Sequence, residues 1–201
     1  VLSAQAQAAG GPAQSAGGYV DAAMDLIAAE RVHDPGHLFL ILSRKLPELL
    51  RHTALQLLVL DSAAALFRAS ALLNAGRSAN ASRSAQLFRT AALLQRVAAE
   101  HGVPVVVTNQ VFAECAGDGA ESIWVKPALG HSWSSCVTHR VSFHRADRSK
   151  MRWSHGDLGL PTPGAGARVE GGAPSRFARL EFSPVCPPAV ASFKIGPSGI
   201  E

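Results

Sequence analysis

Two short apolar runs organise the chain: residues 54–60, ALQLLVL, and residues 103–108, VPVVVT. Each stops at small polar residues, Asp61 and Ser62 after the first and Asn109 and Gln110 after the second. Runs without polar alternation suit parallel strands buried on both faces. In open parallel sheets ligand chemistry gathers at the carboxyl ends of the strands, where Asp61 and Gln110 fall. Between the runs, residues 84–100 repeat apolar positions at Leu87, Ala91, Leu94 and Ala98, with Phe88 beside them, which predicts an amphipathic helix. His101 suits its last turn and Gly102 its C-cap. A strand, this helix and the next strand predict a right-handed βαβ unit.

Upstream, Asp34 can cap a helix whose first position is Pro35. Leu38, Ile41, Leu42, Leu46, Leu49 and Leu50 carry it to about His52, and Pro47 is expected to kink its last turns. Residues 19–32 read as helix and then as extended chain. Residues 1–18, rich in Ala, Gly, Ser and Pro, read as a flexible leader, with the end of a helix as the alternative for VLSAQ. After the short apolar stretch 63–67, residues 69–83 read as a polar, small-residue loop. The second half changes character. Residues 112–126 read as a loop, residues 136–144 alternate as a strand, and the Gly- and Pro-rich 151–175 reads as a mobile insertion. Residues 177–182 and 190–195 read as paired strands around the turn at 183–188. The order is α/β first and β-rich last.

Composition narrows this only slightly. The 201 residues suffice for one domain with a substantial core, and 47% hydrophobic content fits a globular protein. A net charge of +4 permits contact with a polyanion, but such basicity is common and does not by itself point to nucleic acid. Three cysteines without CxxC spacing argue against a disulfide framework or zinc site and fit a reducing compartment. No apolar run reaches the roughly 18–20 residues of a membrane span, and residues 1–18 lack the features of a secretory signal. The eight histidines show no HExxH spacing. No nucleophile triad can be picked out, and no GxxxxGK[ST] phosphate loop occurs.

Asp61 at a strand end could face Mg²⁺ or a water bound to it, since a buried carboxylate needs a partner; it could equally cap the following turn. Gln110 could orient a water, sense a phosphate or satisfy loop backbone. Arg77 and Arg83 fall in the expected loop, within reach of phosphates, whereas Arg89 and Arg96, seven apart, suit a solvated helix face. Lys126, Arg140, Arg145, Arg148, Lys150 and Arg152 form a second basic region. Trp124 and Trp133 near it could stack a base or fill the core.

The order LLVLDSAAALFRA (57–69), a Gly/Arg loop, AALLQRVAAEHGVPVVVTNQV (91–111), KPALGHSWSSCVTHRVSF (126–143) and RLEFSPVCPPAVASFKIGPSGI (179–200) resembles the RecA-like recombinases of eukaryotes. The PALGxxW element at 127–133 is especially similar to the recombinase paralogues. The resemblance implies a RecA-like ATPase core: a mostly parallel sheet flanked by helices, with a β-rich end, spanning 19–201. It implies ATP with Mg²⁺ at Asp61 (through water), Ser62 and Gln110, the last as sensor of the γ-phosphate. It implies DNA contacts from Arg77 and Arg83 in a first loop (69–83) and from Lys126 at the end of a second (111–126). The implied partners are single-stranded or branched DNA, another paralogue and the recombinase filament, in the nucleus and without a membrane.

Departures accompany the resemblance. The phosphate loop and the strand carrying the family's catalytic glutamate have no counterpart in these residues, and the sequence reads as jumping across them between Gly18 and Tyr19. Phe182 stands where many members carry an acidic residue before the S-P turn. The expectation is a chain that does not hydrolyse ATP by itself. Two other readings fit the strand ends: a P-loop ATPase or kinase relative outside recombination, and a truncated product serving interaction alone.

Overall fold

Four residues at the start of the chain, Leu2–Gln5, form a strand (β1). It pairs antiparallel with Ile27–Glu30 (β2) on one side and with Leu57–Leu60 (β3) on the other. The computed structural model describes residues 2–5, 16–73, 77–115, 123–145, 151–153, 176–197 and 199–200. The strand stands where a flexible leader was expected, with the end of a helix as the alternative. A four-residue segment cannot offset the cost of helix nucleation, whereas an apolar strand edge supplies backbone partners at once. Helix α1 (Ala16–Asp25) runs unbroken through Gly18 and Tyr19. The rest of the expected leader, residue 1 and residues 6–15, lies outside the described residues.

The chain divides into two compact units, Val1–Gln110 with Pro127–Cys136 and Val111–Lys126 with Val137–Glu201. In the first unit, Asp34 caps α2 (Pro35–Leu40) as its sequence predicts. Its backbone is extended, and Oδ1 accepts the His37 amide at 2.8 Å. The kink expected at Pro47 takes the form of a π-helical turn, Ile41–Lys45, leading into α3 (Leu46–His52). Pro47 has no N–H for the carbonyl four residues back, and a widened turn accommodates both the missing donor and the ring.

After β3 come α4 (Ala63–Leu73) and α5 (Arg77–His101). The expected loop over 69–83 is therefore helical wherever it is described, and only 74–76 lie outside. Its alanines favour helix, and packing had no reason to oppose them. Gly102 ends α5 with φ +65°, the left-handed cap its position predicts. Strand β4 (Val105–Val107) then lies parallel to β3, with Leu58 opposite Val105 and Leu60 opposite Val107.

The sheet order is β2-β1-β3-β4. Its one parallel pair among the described residues is β3–β4, so the mostly parallel sheet of the sequence reading is corrected: β1 runs against both neighbours. Nor are both strands buried on both faces. Leu58 and Leu60 are buried, but Val106, on the outer strand, is half exposed. The core of this unit is Leu38, Leu42, Leu60, Phe67 and Leu87, drawn from α2, the π turn, β3, α4 and α5. Helix α5 packs on α4, the π turn, β4 and a short helix, α6 (Gly130–Ser134), which brings Trp133 into the core.

In the second unit, β5 (Val111–Cys115) and β6 (Ile123–Pro127) stand where a loop was expected over 112–126. Their β-branched and aromatic residues favour extended chain. Strand β7 (Arg140–Arg145) begins later than its alternation suggested, because 136 still belongs to the turn after α6. Strand β8 (Met151–Trp153) pairs parallel with β6, so the expected insertion starts as a strand; 154–175 lie outside the described residues. Strands β9 (Arg176–Phe182) and β10 (Ala189–Phe193) form the antiparallel pair expected around 183–188, and β7 joins β9. The last expected strand breaks after Phe193. Phe193 meets Phe143 edge to face, while Ile195 belongs to a separate pair, β11 (Ile195–Gly196) and β12 (Gly199–Ile200), and is 54% exposed. Among the described residues no helix is long and apolar enough to cross a membrane.

Candidate functional site

The parallel pairing of β3 and β4 brings their carboxyl ends together. The Thr108 amide donates to the Leu60 carbonyl at 3.1 Å, and the Ala63 amide returns to the Thr108 carbonyl at 3.2 Å. Across this junction Thr108 Oγ1 donates to Asp61 Oδ1. The peptide joining Asp61 to Ser62 is cis. Asp61 is exposed, which corrects the expectation that burial forces a partner on its carboxylate.

Gln110 is held at both ends. Its side-chain Oε1 accepts Arg68 Nη2, and its main-chain carbonyl accepts the Ala128 amide at 2.9 Å. Arg68, on α4, was not singled out in the sequence. The signal available was its place on the helix that leaves Asp61, which turns it back toward the same strand ends. Asp61, Ser62, Thr108, Gln110 and Arg68 thus gather at one end of one unit. The buried Asn109 Oδ1 beside them has no hydrogen-bond partner.

An exposed carboxylate steadied by a hydroxyl is a fitting outer ligand for hydrated Mg²⁺, which keeps several waters and takes one or two carboxylates along with substrate phosphates. The side chains around Asp61 fit that half of a nucleotide site. The other half, a glycine-rich loop with its lysine, has no counterpart among these residues. Among the described residues no group of three or more His, Cys, Asp or Glu could hold a metal without such help.

The expected DNA residues meet different fates. Arg77 opens α5 and belongs to the first unit. Arg83 is turned inward: its Nη2 donates to the Ala128 carbonyl at 3.0 Å, and its Nε is buried with no partner. Lys126 is half-buried on β6, in the second unit. Arg89 stacks on Phe39, its guanidinium carbon 3.4 Å from the ring centroid, and Arg96 reaches Glu100 at 3.9 Å, so both occupy the outer side of α5. Trp133 is 5% exposed, a core residue and not a base-stacking platform.

Residues 13–155 match the Rad51 family. The chain belongs to that family, which bears out the resemblance read from residues 57–143 and carries a RecA-like α/β fold with it. It is also 29% identical over 200 residues to the "DNA repair protein XRCC3 homolog" of Arabidopsis thaliana, covering 90% of this chain and 63% of that protein. The recombinase-paralogue character of PALGxxW agrees with that similarity. The chain spans a little under two thirds of the length of this curated relative.

Proposed function

We propose that this chain serves DNA repair by homologous recombination, as a paralogue that assists recombinase filaments more than it exchanges strands itself. Its ligands are ATP with Mg²⁺ and single-stranded or branched DNA, and its neighbours are another paralogue and the recombinase, in the nucleus. The observation that carries this reading is the linked end of β3 and β4, where Thr108 bridges to Asp61 and Gln110 follows two residues on, in a member of the Rad51 family.

In this reading Asp61 holds Mg²⁺ through a bound water, Ser62 lines the nucleotide, and the Gln110 carboxamide senses the γ-phosphate. Arg77 and Lys126, each in its own unit, meet DNA phosphates. The lysine and backbone amides that anchor a triphosphate are not among these 201 residues, so the stretch does not hydrolyse ATP unaided. The test is filament lifetime: labelled recombinase on single-stranded DNA, diluted into buffer with ATP, dissociates more slowly when the chain is present. An unchanged dissociation rate at saturating chain contradicts the proposal.

A further inference from the structure

We infer that Arg83 is a positioning residue for Gln110, acting through the Ala128 main chain, and not a contact to nucleic-acid phosphate. Ala128 uses both main-chain groups on the site: its N–H donates to the Gln110 carbonyl at 2.9 Å, and its C=O accepts Arg83 Nη2 at 3.0 Å. Gln110 and Arg83 are therefore fastened to the two successive peptide units that meet at the Ala128 Cα, and losing the Arg83 bond loosens the residue that holds Gln110. Beyond this bond the same segment is fastened to α5 twice more. Ser84 Oγ and Ser132 Oγ lie 3.0 Å apart, Gln95 Nε2 donates to the Cys136 carbonyl at 2.8 Å, and Leu129 and Trp133 of this segment are buried.

The Arg83 Nε is shut off from solvent. Drawing the guanidinium out to a phosphate would break its bond to Ala128 and leave that carbonyl short of a charge-assisted partner. Arg68 fixes the side chain of Gln110 and Arg83 its main chain, so two guanidiniums set one carboxamide. The inference rests on the reading of Gln110 as a phosphate sensor, but its geometry requires no ligand.

The test has two arms. In the chain without ligand, Arg83→Ala raises hydrogen exchange of the Ala128 amide at least about tenfold and shifts the Gln110 carboxamide resonances. Arg83→Lys, which still offers a donor, restores both in part, and the amides of Leu87 and Leu94 in mid-α5 do not change. Should Arg83→Ala fail to fold, Arg83→Lys against Arg83→Gln gives the same comparison. Unchanged Ala128 exchange overturns the inference, whatever the DNA result. In the second arm, removing one side chain that touches a phosphate of single-stranded DNA lowers the slope of log K against log salt by about 0.7. A positioning residue weakens binding at an unchanged slope. A slope that falls by that amount in Arg83→Lys or Arg83→Ala overturns the inference, while an absence of DNA binding in the unaltered chain counts against the proposed function alone.

Discussion

Thr108 Oγ1 donates to Asp61 Oδ1, so the end of one parallel strand holds the carboxylate at the end of its neighbour. The bond lies at an exposed site, and its worth is in orientation more than in stability. Thr108→Val keeps the β-branched shape and removes the hydroxyl. It is expected to cost only about 0.5–1.5 kcal/mol in urea unfolding, while moving the side-chain carboxylate resonance of Asp61. A loss as large as that of a core truncation would mean the hydroxyl supports the fold itself.

Leu87 and Phe88 are neighbours in α5 with opposite surroundings. Leu87 is 1% exposed and Phe88 49%. Leu87→Ala is expected to cost about 2–5 kcal/mol through reduced burial and the cavity left behind. Phe88→Ala should stay within about 0.5 kcal/mol, the usual range for surface positions. Paired chemical-denaturation curves check both; equal losses would place the buried face of α5 wrongly.

Gly102 ends α5 at φ +65°, with open space around the position a Cβ would take. Gly102→Ala therefore meets no clash, and its cost is that of the left-handed backbone alone, about 1 kcal/mol. A thermal melt of the variant measures it, and a neutral result would show that the helix ends in another conformation.

Two groups contribute to the acid limb of stability. Lys45, bonded to Glu30 at 2.8 Å, holds the Glu30 carboxyl below its ordinary 4.5, with His37 adding to the effect. That contribution is present above 4.5 and lost as pH falls through the lowered value. Burial holds His144 below its ordinary 6.5, with Arg179 in the same direction and Glu181 opposing. Its neutral form is favoured in the fold, so stability is whole above 6.5 and declines as pH falls through the lowered value. Glu30→Gln should flatten the lower window and His144→Gln the upper one in urea titrations repeated across pH. Unchanged slopes would contradict both assignments.

The strand ends were legible because chemistry at a parallel pair needs only two apolar runs and the residues that stop them; Asp61 and Gln110 came from that pattern directly. Asp34, Pro35 and Gly102 were legible for a similar reason, since caps are local. The helix over 69–73 and 77–83 was missed because polar small residues suit loops and alanine-rich helices alike, and tertiary packing decides between them. Arg68 and the role of Arg83 were hidden for a different reason. Both depend on partners 42 and 45 residues away, Gln110 and Ala128, which no local spacing reports. The strand at Leu2–Gln5 likewise depends on pairing with β2 and β3, beyond any local signal.

The most direct test of the proposed role in DNA repair, in which Arg77 is proposed to meet DNA phosphate, is an equilibrium titration of labelled single-stranded DNA across a salt series. Binding is expected to weaken linearly in log–log form, with each phosphate contact contributing about 0.7 to the slope. Arg77→Ala should lower that slope by about one such step while leaving the thermal melt in place. Binding that ignores salt, or a slope unmoved by Arg77→Ala, would contradict the account.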